Sequence, residues 1–276
     1  MIRTLTATLL FGAALLSGAA AHAAPLPGNM LAQVPKTAST PLPTVEIPPA
    51  LPPIIKLEAY VEAGYIVPPI ICNEFSPCNP GLRYRSSDYR GAIEFPLAGP
   101  DITAMIKADY RIYGYSYNGN GPVKSVGNGP GYFAPPFEAR EYDMDLRAGI
   151  RALEPRLYLG VSYLRRGNNY GYPTLRGYGI GLEKLPDVDQ TFSVYGGAYY
   201  YPSVKATYFI PNGGGATSLF AYHILRYDLG ITLKPSDHSP LFIDAGYVGD
   251  RSRNAGDAPG NQTRNGPFVG VGITFP

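Results

Sequence analysis

Tryptophan is absent from this 276-residue chain, histidine occurs three times and cysteine twice, and charged residues make up only 16 % of the positions. So few histidines and thiols leave no zinc-ligand spacing and no CxxC redox pair. The one markedly glycine-rich stretch, "NGNGPVKSVGNGPG", opens no helix as a phosphate loop would. Charge of neither sign dominates. Removing Arg3 with the leader described below leaves 22 basic residues (23 minus 1) against 21 acidic ones, which argues against nucleic acid or an anionic surface as the main partner. Beyond Ala23 there is no apolar run of about 18 residues, so no transmembrane helix is available and any bilayer crossing has to be made by strands.

What is abundant is glycine (33), proline (29) and tyrosine (23), a set that suits strands, turns and interfaces better than helices. Arg3, the apolar run Leu5 to Ala20 and the triplet Ala21-His22-Ala23 predict an export signal, residues 1–23, cut after Ala23. No cysteine lies near the cut to carry acyl chains. Residues 24–53 hold nine prolines and almost no charge, the composition of an extended periplasmic linker. It is either a spacer or a docking segment for a cell-envelope partner.

From residue 54 the chain alternates apolar and polar positions in ten segments. The clearest is "ITAMIKADYRIYGY", residues 102–115, where Ile102, Ala104, Ile106, Ala108, Tyr110 and Ile112 share one face while Lys107, Asp109 and Arg111 share the other. Ordinary soluble strands run about five or six residues, whereas a tilted bilayer-spanning strand needs about nine to eleven. The other segments are 55–67, 84–97, 138–152, 156–166, 174–185, 190–203, 218–234, 241–249 and the final "PFVGVGITFP". Short links containing Pro100, Pro155, Pro186 and Pro235 alternate with longer connections at 68–83, 117–137, 167–173, 204–217 and 250–264.

Alternating short and long links, an even segment count and a near-terminal aromatic, Phe275, together resemble the small outer-membrane β-barrels of bacteria with a double membrane, over residues 54–276. The resemblance rests on layout; such barrels usually end on the aromatic itself, whereas Pro276 follows here. It implies an all-β fold: a closed antiparallel transmembrane barrel of about ten strands, eight being the alternative, with short periplasmic turns, long outer loops, outer-membrane lipid around it and no cofactor.

In such a barrel the apolar faces meet lipid and the polar faces fill the lumen. The expected lumen charges are Glu58, Glu62, Lys107, Asp109, Arg111, Glu141, Asp143, Asp145, Arg147, Arg151, Glu183, Arg226 and Asp228. Ten strands enclose little more than side chains can fill, so these charges are expected to pair across strands and narrow or plug the interior. Cys72 and Cys78, six apart in an exported chain, are expected to form a local disulfide. Loop residues Asp250 and Asp257, flanked by Arg251 and Arg253, make a weak cation site, and no metal centre is expected.

The expected function is a non-enzymatic structural, anchoring or surface-interaction role. The alternatives are a small passive channel, a lipid-modifying barrel enzyme, a barrel protease and, most remote, a soluble periplasmic β protein. The omptin proteases resemble this chain in strand number, but they imply an Asp-His couple at the outer rim. Here His223 falls on the lipid-facing parity opposite to Asp228, and His238 lies beside Asp237 in a periplasmic turn. His223 with Ser218 or Tyr222 is the one lipid-modifying candidate, against the plainer reading of an interfacial histidine.

Overall fold

A computed structural model describes residues 58–67, 69–80, 86–98, 102–119, 123, 133–209, 216–236 and 238–275. The segments expected to be a signal peptide (1–23) and a proline-rich linker (24–53), with Asp237, Pro276 and most of the 120–132 loop, lie outside the described residues. The elements are β1 (Glu58–Ile66), β2 (Ile70–Cys72), β3 (Pro77–Pro80), β4 (Ser86–Ala98), β5 (Ile102–Tyr117), β6 (Phe137–Leu153), β7 (Leu157–Asn168), β8 (Leu175–Lys184), β9 (Phe192–Phe209), β10 (Thr217–Leu233), β11 (Leu241–Asn254) and β12 (Gln262–Phe275).

Ten of these form an antiparallel meander, β1-β4-β5-β6-β7-β8-β9-β10-β11-β12, and β1 pairs back onto β12 from Ala59↔Phe275 to Ile66↔Phe268. The ring is closed, so none of its ten strands keeps a free edge to pair with another chain. The sequence resembles small outer-membrane barrels, and the fold has that architecture with ten strands. β2 and β3 form a small hairpin, closed by a Cys72–Cys78 disulfide, whose first strand pairs with the start of β12 (Thr263↔Cys72, Asn265↔Ile70).

The period of two sorts the side chains as the alternation requires. Val61, Ile106, Leu146, Ile150, Leu159, Val161, Ile180, Leu229 and Val271 stand outward, each at least 43 % exposed in the isolated chain, while Lys107, Asp109 and Arg111 on β5 are at most 1 % exposed. Outward tyrosines gather toward the end of the strands that carries the hairpin: Tyr65, Tyr89, Tyr110, Tyr178, Tyr200 and Tyr247. Phe192, Leu233, Leu241 and Phe275 stand outward at the opposite end.

Several strands run on where the sequence pattern suggests loops. β9 extends to Phe209, β11 to Asn254, and β12 begins at Gln262, so the connections expected at 204–217 and 250–264 shrink to 210–216 and 255–261. The reason is that outward positions there turn polar (Lys205, Thr207, Arg251, Arg253) while the inward alternation continues. The apolar signal stops before the strand does. Pro202 sits inside β9, where it lacks a ladder donor, and the register against both neighbours shifts there. Pro202 and Ser203 are consecutive exposed residues, the mark of a β-bulge.

Candidate functional site

The ring interior is the largest concentration of chemistry in the molecule. At the end formed by the turns 154–156 and 185–191, Glu94 on β4 accepts from Arg151, from the Tyr158 hydroxyl and from Arg156 Nε at 2.9 Å, and Arg156 Nη2 also reaches Glu58 at 3.2 Å. Tyr60, Met105, Leu185 and Phe242 pack beside this cluster and are at most 4 % exposed.

The middle layer is an ion-pair lattice that crosses the ring. Lys107 Nζ and Arg147 Nη1 hold the two oxygens of Glu183 at 2.5 and 2.6 Å. Arg226 on β10 reaches over to Asp109 on β5 at 2.7 Å and to Asp143 and Asp145 on β6 at 2.9 and 3.2 Å. Arg111 lies 3.0 Å from both Asp88 and Asp109, and Asp228 sits among Arg111, Arg147 and Lys107 at 3.5, 3.6 and 3.9 Å. Arg264 on β12 joins Glu141, Asp250 and Asp143 at 2.7, 2.9 and 3.0 Å. Arg111, Asp143, Asp145, Arg226 and Arg264 are each 0 % exposed. Ion pairs this dry hold because the charges share partners within a strand, between neighbouring strands and, for Arg226 and Glu183, across the ring; a lone charge at this depth is strongly disfavoured.

The hairpin caps the other end. Phe75, between β2 and β3, stacks edge-on against Tyr170, Phe137 and Tyr117 at 5.1, 5.2 and 5.7 Å between centroids. Asn73 Nδ2 donates to the Tyr115 hydroxyl at 2.7 Å and to Glu141 at 3.0 Å, and Glu141 also accepts from Tyr170 and Tyr115 at 2.6 and 2.9 Å. Burial, reinforced by the nearby Glu141 carboxylate, pushes the Glu74 carboxyl up to about 7. Gln262 Nε2 donates to it at 3.4 Å.

The structure thus places Glu62, Lys107, Asp109, Arg111, Glu141, Asp143, Asp145, Arg147, Glu183, Arg226 and Asp228 inside the ring, with Glu58 and Arg151 half-buried at its turn end. Sequence reasoning missed Asp88, Arg90, Glu94, Arg156, Arg166, Asp250 and Arg264. Asp250 corrects the loop assignment: it is a fully buried β11 residue held by Arg264 and by Arg166 at 3.1 Å. Asp257 instead accepts the Leu219 amide at 3.0 Å. His223 faces outward with Nδ1 2.5 Å from the Pro202 carbonyl oxygen, and Asp228 faces inward.

No family model matches the chain, and no curated protein matches it. Among solved structures, it is similar to neisserial surface protein A (12 % identity, 79 % of this chain and 97 % of that one, TM-score 0.32). It is also similar to the attachment invasion locus protein Ail of Yersinia pestis, solved with the heparin analogue sucrose octasulfate (11 %, 80 % and 99 %, 0.30), and to the outer membrane protease OmpT of Escherichia coli (11 %, 79 % and 93 %, 0.35). At these values the similarities say nothing of what this chain binds or cleaves.

Proposed function

We propose that the chain is an integral barrel of a bacterial outer membrane, non-conducting and non-enzymatic, that holds its loops and its outward surface at the cell exterior for structural or surface-interaction duties. The observation that carries this reading is the inversion of the fold: an apolar outer wall around an interior of sealed ion pairs. Water would make that wall a continuous exposed hydrophobic belt, far beyond the few hundred Å² tolerated on soluble surfaces, whereas lipid makes it the natural exterior. Tyrosines ringing one end of the belt suit the boundary between hydrocarbon and water, ring inward and hydroxyl outward.

Among the described residues, the outward His223 and the loop carboxylates supply no nucleophile–base pair in hydrogen-bond reach, which supports a non-catalytic role. The passive-channel reading requires water among Arg111, Asp143 and Arg226, where the side chains are 0 % exposed. The placement is tested by refolding the mature chain into phosphatidylcholine vesicles and digesting with trypsin. A bilayer-embedded barrel leaves a protected fragment spanning β4 to β12 that carbonate and salt washes do not extract. Complete digestion, or release by salt alone, would refute the membrane placement.

A further inference from the structure

The ion pairs of the middle layer face inward, yet a row of cations on three neighbouring strands points the other way. Arg165 on β7, Arg176 on β8 and Lys205 on β9 are exposed on the outer wall, and the register sets them side by side: Arg165 opposite Arg176, and Arg176 opposite Lys205. Directly opposed residues have Cβ atoms about 5 Å apart, and like charges so placed repel. Among the described residues, no ion pair relieves them. β7 and β9 contain no Asp or Glu, and the one carboxylate of β8, Glu183, faces inward to Lys107 and Arg147.

Directly beneath the row on the same wall is an apolar groove of about 700 Å³, lined by Leu146, Val161, Tyr163, Tyr178, Ile180 and Tyr200. The groove is open along the wall rather than enclosed. The pairing gives the vertical order: Tyr163 and Tyr178 lie opposite each other two residues below Arg165 and Arg176, and Val161 and Ile180 two residues further down. Three uncompensated cations stand at the height where headgroups begin, over a slot at the height of acyl chains.

We propose that this face is a binding site for an outer-leaflet lipid with a phosphorylated headgroup, its phosphates held by Arg165, Arg176 and Lys205 and an acyl chain lying in the groove. The inference rests on the membrane placement proposed above. The occupant follows from charge complementarity: a zwitterionic lipid offers no net anion, and a free anion leaves the apolar slot unused. Guanidinium groups in a row suit phosphate oxygens, to which they donate in pairs. A cation near a membrane surface adds roughly fivefold in affinity for anionic lipid, so the row has leverage without any deep pocket.

The test uses the full mature barrel, refolded in detergent and titrated with diphosphorylated lipid A, with the same lipid stripped of phosphate, with phosphatidylcholine and with inorganic phosphate, bound lipid being counted by native mass spectrometry. Wild type is expected to retain the diphosphorylated lipid at least about tenfold better than the stripped lipid or phosphatidylcholine. R165Q/R176Q/K205Q is expected to lose that preference, and R176Q alone, at the centre of the row, to lose several-fold. R251Q/R253Q, on β11 away from the groove, is expected to retain it. Equal retention by wild type and the triple variant, no preference for phosphate, or displacement of the lipid by millimolar inorganic phosphate would overturn the inference. Circular dichroism and trypsin protection in vesicles separate the two levels. A barrel that fails to insert removes the membrane placement itself, whereas one that inserts without lipid preference removes only this site.

Discussion

Replacing Arg226 by methionine keeps an unbranched apolar stem and deletes the guanidinium charge at the centre of the ring. Arg226 is 0 % exposed, donates to Asp109 at 2.7 Å and Asp143 at 2.9 Å, and lies within ion-pair distance of Asp145 at 3.2 Å. Counting each charge-assisted bond at about 1.5–3 kcal/mol would give a loss too large, because none of the three acids is stranded. Asp109 keeps Arg111 at 3.0 Å, Asp143 keeps Arg166 and Arg264 at 2.9 and 3.0 Å, and Asp145 keeps Arg147 at 2.9 Å. The expected destabilisation is therefore near the lower end of the range for breaking a buried pair, about 3 kcal/mol, or roughly 150-fold in the folding equilibrium. The assay is urea unfolding of protein refolded in phosphatidylcholine vesicles, followed by circular dichroism, with Arg253→Met on the outer wall as a control expected to change stability by less than about 0.5 kcal/mol. A loss below about 1 kcal/mol for Arg226→Met would refute the reasoning. It would mean that water reaches the lattice and screens it, as in an open lumen.

Two further outcomes follow from the same geometry. A side chain at Gly272 would drive its Cβ into the Phe242 ring, whereas one at Gly260 would meet nothing within 4 Å. Gly272→Val should thus cost about 1–3 kcal/mol in the urea assay and Gly260→Ala almost nothing; equal effects would contradict the packing of Phe242. Glu74, with its carboxyl raised to about 7 from an ordinary 4.5, favours the docked hairpin most below pH 4.5, and that contribution is lost as pH rises through 7. Between pH 6 and 8, hydrogen exchange of residues 70–80 should accelerate beyond its intrinsic pH dependence, reflecting about 1 kcal/mol. Glu74→Gln should abolish the excess, and an unchanged excess in that variant would rule Glu74 out.

Much of this architecture was legible because one physical period governs it. In β5 the alternation of Ile106, Ala108 and Tyr110 with Lys107, Asp109 and Arg111 identifies both walls, and closure into a ring follows from the number and antiparallel order of such strands. Arg166, Asp250 and Arg264 were hidden for the complementary reason: near the strand ends the outward residues become polar, and a polar-polar stretch looks like a loop. The disulfide of Cys72 and Cys78 was readable from spacing, but the insertion of Phe75 among Tyr117, Phe137 and Tyr170 depends on contacts between residues up to about a hundred positions apart. The near-neutral charge balance argued against an anionic surface as partner. It concealed a segregation that only the register reveals, acids turned inward and Arg165, Arg176 and Lys205 turned outward side by side.

The central claim is that the interior is closed by paired charges and aromatic packing, and ion conduction tests it most directly. Mature protein is added to a planar phosphatidylcholine bilayer, and insertion is established independently by trypsin protection. The account predicts no stepwise current from inserted wild-type barrels. Steady unitary conductance whose ion selectivity shifts with Asp143→Asn would contradict it, showing that water and ions pass through the layer held by Arg111, Asp143 and Arg226.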